Sequence, residues 1–276
     1  MISEKTKKLK IGIAGCGAIG SSLAKAVLSD FSDKAELASL YDSEIEKAYS
    51  LSSNLGRKAA ALNLEELINR SDLVIEAAKA DAAFDIAKKT LSSSRDIMVM
   101  SVGGIMEHYH ELEVLAQENG ARIFIPSGAI CGIDGLKALS LGKIKSVILT
   151  TKKPPKGFLG APYLLKKKIR LENIDRDTVI FEGNALQAVK AFPQNINVAA
   201  ILSIAGIGAQ DTIVRIVASP GLTRNTHEVE IESEAGKITA RTENLIHPDN
   251  PKTSYLAVLS AIAVLKQILG PVRIGT

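Results

Sequence analysis

The chain has 276 residues, 46% of them hydrophobic and 23% charged. This is the composition of an ordinary globular protein with room for two modest domains. Its formal net charge of +4 is diluted over the whole length, which argues against nucleic-acid binding, because a nucleic-acid-binding surface concentrates basic residues on one face. The charged amino terminus lacks the apolar segment of a signal peptide, and no apolar run could span a bilayer. We therefore expect a soluble, cytoplasmic protein with neither a membrane nor a nucleic-acid partner.

The two cysteines, Cys16 and Cys131, are far apart in the sequence and fit no metal-ligand spacing. Isolated cysteines of cytoplasmic proteins remain reduced. The sequence therefore predicts two buried thiols and no metal site.

A glycine-rich motif joins the first predicted strand, near residues 10–14, to a predicted helix over Ala18–Leu28. It has the pattern G-x-G-x-x-G and consists of Gly15, Cys16, Gly17, Ala18, Ile19 and Gly20. In this context Gly15 makes a tight turn, Gly17 lets a pyrophosphate approach the backbone, and Gly20 lets the helix lie close to the sheet. The first amides of the helix would bind the pyrophosphate. The motif therefore predicts a dinucleotide site.

A second predicted strand, Glu36–Tyr41, ends at Asp42, about 20 residues beyond the last glycine of the motif. A carboxylate at this position accepts hydrogen bonds from the adenosine ribose hydroxyls and repels a 2′-phosphate, so NAD is favoured over NADP. NADP remains possible, because a neighbouring cation could tolerate the phosphate. The alternative is a glycine-rich turn followed by an incidental surface aspartate.

Strands and helices continue to alternate as far as residue 126. The later strands are predicted at Asp72–Ala77, Ile97–Val102 and Arg122–Ile125, and the helices at Asp81–Leu91 and Glu107–Asn119. This alternation predicts an α/β domain over 1–126, a Rossmann doubly wound parallel sheet with helices on both faces. Cofactors bind at the carboxyl edge of such a sheet. Further cofactor contacts are therefore predicted at Ala78, Ser101, Val102 and Gly103.

The pattern changes after Pro126. Strands are predicted at Val147–Thr151, Asp177–Phe181, Thr212–Ala218, His227–Ser233 and Lys237–Thr242, and helices at Ala185–Ala191 and from about Pro193 to Ala205. The segment Glu234–Gly236 is a hairpin signal between the last two strands. The sequence thus predicts a second α+β domain over 127–249, with an open, largely antiparallel sheet that carries substrate groups and forms a homodimer.

A last helix is predicted from Asn250 to Leu269, with Asn250 as its cap and Pro251 at its first position. The helix is almost wholly apolar, so we expect it to be buried against the first domain, which would then comprise 1–126 and 250–276. The free amides of its first turn predict an anion site for a substrate carboxylate, together with Lys252, Thr253 and Ser254. The alternative is a well-capped helix with a solvated lysine.

The candidate for acid–base chemistry is His227, which shares a strand face with Val229 and Ile231. A histidine on an inward face is either a core residue with satisfied hydrogen bonds or a general acid/base in a cleft. His247, in a loop, is the second candidate. Asn195 and Asn197 occupy the start of a predicted helix, where one caps the helix and the other could offer its amide to the cofactor or the substrate.

Ordered motifs over nearly the full length resemble the L-aspartate dehydrogenase family. They are Gly15–Gly20, Ser101–Gly104, Pro126–Asp134, Leu149–Pro155, Phe192–Ala200, Asn225–Glu228 and Asn250–Ser254. The resemblance implies NAD(P)-dependent oxidative deamination of L-aspartate to iminoaspartate, then to oxaloacetate and ammonia, with iminoaspartate feeding NAD biosynthesis.

By motif position, the resemblance makes His227 the active-site histidine and Asn197 a cofactor and substrate contact. It also implies a cofactor contact in the Ser127–Cys131 loop, at Ala129 and Cys131. The chain departs from the family pattern at Cys131, where Ala or Gly is usual, and at Ser219, where Asp is expected. Lys152 is a weaker candidate for the second substrate carboxylate.

Two other classes of function remain open from the residues alone. One is another Rossmann oxidoreductase, similar to homoserine dehydrogenase or dihydrodipicolinate reductase, against which the segment Asn225–Glu228 argues. The other is a non-catalytic NAD-binding redox sensor, which would gain nothing from an inward-facing His227.

Overall fold

The structure, a computed structural model, describes residues 7–192, 197–248 and 250–275. The described residues form two compact units. The first extends to Pro126 and includes Val258–Ile274, and the second is drawn from Ser127–Ala257. The chain therefore returns to the first unit at Val258, whereas the sequence places the return at residue 250.

Six parallel strands form the sheet of the first unit. They are β1 (Leu9–Ala14), β2 (Ala35–Tyr41), β3 (Ala60–Ala61), β4 (Leu73–Glu76), β5 (Asp96–Val99) and β6 (Ile123–Phe124). Their order is β3-β2-β1-β4-β5-β6, and each neighbouring pair is parallel. This is the Rossmann strand order, so the predicted fold of this part of the chain is confirmed. The order reverses between β1 and β4, where doubly wound sheets bind their ligands.

Five helices connect these strands. They are α1 (Ala18–Ser29), α2 (Ile45–Asn54), α3 (Leu64–Arg70), α4 (Ala80–Ser92) and α5 (Tyr109–Glu118). The sequence analysis missed α2 and α3, which are short and mostly polar. A local signal does mark α3, because Asn63 and Glu66 form a capping box at its start.

A five-stranded mixed sheet forms the centre of the second unit. Its strands are β7 (Ile144–Lys153), β8 (Thr178–Asn184), β9 (Thr212–Ala218), β10 (Asn225–Ser233) and β11 (Gly236–Asn244). The order is β11-β10-β7-β9-β8, and only β7 and β9 pair in parallel. The predicted open, largely antiparallel sheet is therefore confirmed. The helices of this unit are α6 (Ile133–Leu139), α7 (Pro162–Lys167), α8 (Ala185–Ala191) and α9 (Asn197–Ala205).

The two faces of this second sheet differ in burial. On one face, four aliphatic side chains of β7 and β10 are at most 1% exposed: Val147, Leu149, Val229 and Ile231. Side chains alternate along a strand, so the intervening residues lie on the opposite face. There Val179 and Ile213 are 53% and 37% exposed. The first face holds the core of the unit, and the second is open.

The prediction of a helix from Asn250 is wrong in its first turn. Asn250–Ser254 form strand β13, which pairs with β12 (Ile246–His247), and helix α10 is Tyr255–Leu269. An Asn-Pro pair is a typical helix start, but proline is also tolerated in an edge strand, and pairing with β12 prevails here.

Helix α10 is also only partly buried, contrary to the prediction. Ala261 and Leu265 are fully buried in the core of the first unit, whereas Tyr255 and Leu259 are 41% and 43% exposed. Among the described residues, no helix is both long enough and apolar enough to cross a membrane.

Candidate functional site

The glycine loop of the first unit has one open position between two crowded ones. Gly15 has a φ of +107°, and a Cβ there would lie 2.3 Å from the carbonyl oxygen of Ala77. A Cβ on Gly20 would lie 1.9 Å from the carbonyl oxygen of Gly15, whereas no described atom lies within 4 Å of a Cβ on Gly17. Gly15 and Gly20 therefore permit close packing, and Gly17 leaves space beside the backbone.

The start of α1 is free to bind an anion. Its cap residue, Gly17, supplies no side-chain hydrogen bond, and no acidic residue occupies the first turn. The first amides of a helix lack partners within the helix and carry partial positive charge. Ala18 and Ile19 therefore present backbone N–H groups where the sequence places the pyrophosphate.

Asp42, at the end of β2, contacts this loop. Its carboxylate accepts hydrogen bonds from the backbone N–H of Cys16, at 2.8 Å, and of Glu44, at 3.0 Å. Burial and the nearby Asp42 carboxylate raise the pKa of the Cys16 thiol to about 12. Cys16 is therefore an inert buried thiol, whereas Cys131 is exposed, so the prediction of two buried thiols is wrong for Cys131.

A buried carboxyl group that the sequence analysis missed joins the ends of β4 and β5. Glu76 has no exposed surface and accepts hydrogen bonds from the backbone N–H of Ala78, at 2.8 Å, and of Ser101, at 2.9 Å. The Ser101 hydroxyl donates to the carbonyl oxygen of Ala78 at 2.9 Å. The predicted cofactor residues Ala78 and Ser101 are thus adjacent, while the neighbouring Val102 is buried in a short 3-10 helix that also contains Gly103.

In the second unit, His227 lies on the buried face of the central sheet. It is 5% exposed and is paired in register with Thr151 on β7 and Thr242 on β11. Its Nδ1 is 3.0 Å from the Thr151 hydroxyl. This contact fixes the ring and leaves Nε2 for another partner.

The loop that precedes α6 is attached beside this histidine. The carbonyl oxygen of Ala129 accepts hydrogen bonds from the Thr242 hydroxyl, at 3.0 Å, and from the Asn244 amide, at 2.8 Å. Thr242 is the cross-strand neighbour of His227. The structure thus brings the predicted Ser127–Cys131 loop to the face that carries the histidine. The sequence analysis did not identify three residues of this site, because their partners are distant in the sequence. They are Thr151, Thr242 and Asn244.

The electrostatics of this face favour a neutral imidazole. Burial lowers the pKa of His227 to about 3, and the positive charge of Lys153 adds to the decrease. Burial also lowers the pKa of Lys153 to about 8. An anion bound here would favour the charged forms of both groups.

The remaining predicted residues lie on other elements. Asn197 is an exposed residue at the start of α9, and Asn195 lies outside the described residues. Because Lys252, Thr253 and Ser254 belong to β13, the predicted anion site at a helix start is absent there. The role of these three residues in substrate binding stays a prediction.

Two further candidates from the sequence analysis, Lys152 and His247, do not lie where their proposed roles would place them. Lys152 alternates with Thr151 along β7, so it lies on the open face, and it forms an ion pair with Asp177 at 3.3 Å. Lys152 thus lies on the face opposite to His227, and its role as partner of the second substrate carboxylate stays a prediction. His247 is buried against the ring of Tyr255, with centroids 5.5 Å apart.

The first unit is a Rossmann unit with an open glycine loop, and the second is an α+β unit that carries a buried histidine. This combination defines the class of two-domain nicotinamide-dependent dehydrogenases. The family model described as "Homoserine dehydrogenase, NAD binding domain" matches residues 15–126, and "Aspartate dehydrogenase, C-terminal" matches residues 134–268. The L-aspartate dehydrogenase of Methanosarcina mazei is 48% identical over 271 residues, which cover 97% of this chain and 100% of that protein. The chain belongs to the L-aspartate dehydrogenase family, as the resemblance predicts.

Solved structures share the fold of this chain. The crystal structure of aspartate dehydrogenase from Thermotoga maritima is 27% identical, with a TM-score of 0.74 over 98% of this chain and 100% of that one. A hyperthermophilic archaeal homoserine dehydrogenase in complex with NADPH has a TM-score of 0.57 at 16% identity, covering 97% of this chain and 100% of that one. At this identity the second likeness shows a shared fold only.

Glu76→Gln should change how stability depends on pH. Burial raises the pKa of Glu76 from an ordinary 4.5 to about 7, so between these values the folded chain retains a proton that the unfolded chain releases. The free energy of unfolding of the wild type, relative to that of the variant, should therefore be greatest below pH 4.5. This difference should shrink by about 3 kcal/mol as the pH rises to 7. Urea unfolding of both proteins across this range measures the difference. A difference independent of pH would contradict the prediction.

Proposed function

We propose that this chain is an NAD(P)-dependent L-aspartate dehydrogenase, which converts L-aspartate to iminoaspartate, and then to oxaloacetate and ammonia. Its iminoaspartate would feed NAD biosynthesis. The observation that carries the proposal is the family match, at 48% identity over 97% of the chain. The buried histidine on the face that carries the Ser127–Cys131 loop supports it.

The reaction divides into a redox step and a hydrolysis. NAD(P), when bound, accepts the hydride that leaves Cα of L-aspartate. The amino group loses a proton as the C=N bond forms. Water then adds to this bond, and ammonia leaves to give oxaloacetate. The first stage requires a proton transfer at the substrate nitrogen, and the second requires proton transfers at the attacking water and at the same nitrogen, so one well-placed acid–base group could serve both.

His227 is the proposed acid–base group. With its Nδ1 beside the Thr151 hydroxyl at 3.0 Å, a neutral ring whose Nδ1–H donates to that oxygen has Nε2 free to accept a proton. With a pKa of about 3, this imidazole is a weak base until a substrate binds. A dianionic substrate would raise the pKa by its negative charge.

The cofactor is proposed to bind the first unit through the loop and strand ends described above. Its pyrophosphate would lie on the amides of the glycine motif, and its ribose against Asp42. The residues assigned to the cofactor are Gly15, Gly17, Ala18, Ile19, Gly20, Asp42, Ala78, Ser101, Val102, Gly103, Ala129, Cys131 and Asn197. Those assigned to the substrate are Asn197, His227, Lys252, Thr253 and Ser254.

The open face of the second sheet is the proposed homodimer interface, and we place the enzyme in the cytoplasm. Val179 and Ile213 are apolar and exposed on this face. Charged side chains lie on the same open face, because they alternate along their strands with residues of the buried face. They are Glu228 and Glu230 of β10 and Arg215 of β9. A second copy could therefore cover the apolar side chains of this face.

The activity is tested with purified protein, NAD and a panel of L-aspartate, D-aspartate, L-glutamate, L-homoserine and L-malate, by following NADH absorbance. We expect turnover of L-aspartate alone. His227→Ala should lower kcat by about 10²- to 10⁴-fold with NADH binding retained, and His110→Ala, whose side chain is 88% exposed, should leave kcat unchanged. Tight NADH binding without turnover of any substrate would instead indicate a redox sensor.

Asp42→Asn should increase the use of NADP relative to NAD. The substitution removes the negative charge that would repel a 2′-phosphate but retains an oxygen that can accept the Cys16 N–H. We expect the ratio of kcat/KM for NADP to that for NAD to rise about tenfold, equivalent to about 1.4 kcal/mol. An unchanged ratio would mean that Asp42 does not face the ribose.

Ile213→Glu should convert a dimer to a monomer, because it places a charge on the apolar surface of the proposed interface. Sedimentation velocity measures the mass of both proteins. Leu159→Glu, at a position outside the sheet that is 65% exposed, is the control and should leave the dimer intact. A wild-type monomer, or a dimer that survives Ile213→Glu, would exclude this interface.

A further inference from the structure

Three loops of the first unit meet at the carboxyl edge of its sheet. They are the glycine loop after β1, the connection from β4 to α4, and the segment that follows β5. At Gly15 the glycine loop packs so closely on the β4–α4 connection that a Cβ would collide with the carbonyl oxygen of Ala77. At Gly104 the segment after β5 packs as closely on the carbonyl oxygen of Ala80. The β4–α4 connection is therefore held between the other two loops.

Glu76, the last residue of β4, joins two of these loops through its side chain. The side chain is fully buried, and its two carboxylate oxygens have partners in different loops. Oε1 accepts the backbone N–H of Ala78 at 2.8 Å, and Oε2 accepts the backbone N–H of Ser101 at 2.9 Å. One carboxylate thus fixes the spacing between the β4–α4 connection and the segment after β5.

A direct hydrogen bond also joins these two loops. The Ser101 hydroxyl donates to the carbonyl oxygen of Ala78 at 2.9 Å. Both residues lie at the edge of the sheet where dinucleotides bind, and both are predicted cofactor contacts. Their relative position, which Glu76 fixes, therefore shapes part of the surface that the cofactor would meet.

A buried carboxyl group is a costly way to join two strand ends. The backbone N–H groups that bind Glu76 carry no formal charge, and a carboxylate loses much of its solvation when it is buried. Apolar side chains would join the same strand ends at a lower cost. Ionisable groups in such unfavourable surroundings are concentrated at functional sites. The position of Glu76 at the cofactor edge indicates which function it serves.

We propose that Glu76 is a positioning residue for the dinucleotide, because its carboxylate holds Ala78 and Ser101 at the spacing that cofactor binding requires. The proposal rests on the proposed function, which supplies the dinucleotide. Glu76 has no exposed surface, so it acts through the two loops and does not touch the cofactor. Because both loops are ordered before the cofactor arrives, binding loses less conformational entropy.

The test compares the binding of NADH by Glu76→Gln and by Ser71→Ala, the matched control. Glu76→Gln retains the volume and one acceptor oxygen, but its NH2 group faces the second backbone N–H. Ser71→Ala removes a buried hydroxyl that donates to the carbonyl oxygen of Leu67 at 2.7 Å, beyond the opposite end of β4.

Fluorescence titration gives Kd for NADH, measured above the pKa of about 7 of Glu76, where its carboxylate is charged. Kd should rise about tenfold in Glu76→Gln, because one buried N–H loses its acceptor. It should be unchanged in Ser71→Ala.

Steady-state kinetics separate positioning from a loss of stability. Glu76→Gln should raise KM for NAD about tenfold and leave KM for L-aspartate unchanged, because only the cofactor loops are altered. A smaller fraction of folded protein would instead lower the apparent kcat and leave both KM values as they are. Should Glu76→Gln fail to fold, Glu76→Asp, whose stem is one methylene shorter and does not span both N–H groups, takes its place.

The outcomes distinguish this proposal from the proposed function. Unchanged Kd for NADH in Glu76→Gln, or an equal rise in Ser71→Ala, would overturn the positioning role even if the wild type oxidises L-aspartate. Absence of wild-type turnover of L-aspartate, with NADH binding still dependent on Glu76, would overturn the proposed activity and leave the positioning role standing. A wild type that binds neither NADH nor NADPH would overturn both.

Discussion

The register of β10 between β7 and β11 is the constraint on which the catalytic half of this protein depends. It pairs His227 with Thr151 on one side and with Thr242 on the other. A slip of one residue would turn the histidine to the open face, away from Thr151 and from the loop that Thr242 holds through Ala129. Val229 and Ile231, which follow His227 on the buried face, prevent this slip, because it would expose both of them. Core packing and site geometry are therefore fixed by the same pattern.

Both units place polar groups where burial makes them costly. In the first unit the carboxyl of Glu76 is fully buried and is compensated by backbone N–H groups from the ends of two parallel strands. In the second, the Nδ1 of the buried His227 lies beside the Thr151 hydroxyl. The first arrangement is satisfied within the protein and holds two strand ends together. The second leaves the imidazole Nε2 for another partner, which is the property expected of a binding site.

The sequence analysis correctly predicted the features that depend only on residue spacing and strand alternation. The glycine motif, the position of Asp42 and the inward face of His227 follow from spacing and alternation, and the structure places them as expected. Glu76 and Thr151 were missed because their roles depend on partners in other strands. The prediction of a helix start at the Asn250-Pro251 pair was wrong for the same reason, because pairing with β12 outweighs the local preference for a helix. Sequence periodicity thus identifies which face a residue occupies, but strand pairing decides what it meets there.

The chain departs from the family pattern at Ser219, and this residue contacts the acid that pairs with Lys152 on the open face of the second sheet. The Ser219 hydroxyl donates a hydrogen bond to the carboxylate of Asp177, which is also the ion-pair partner of Lys152. An aspartate at position 219 would instead set two carboxylates against each other. With serine, one carboxylate balances Lys152 on the open face, and the Ser219 backbone N–H fixes the end of β7 at Lys153. The end of β7 is thereby held in position, while Asp177, directly before β8, is paired with Lys152.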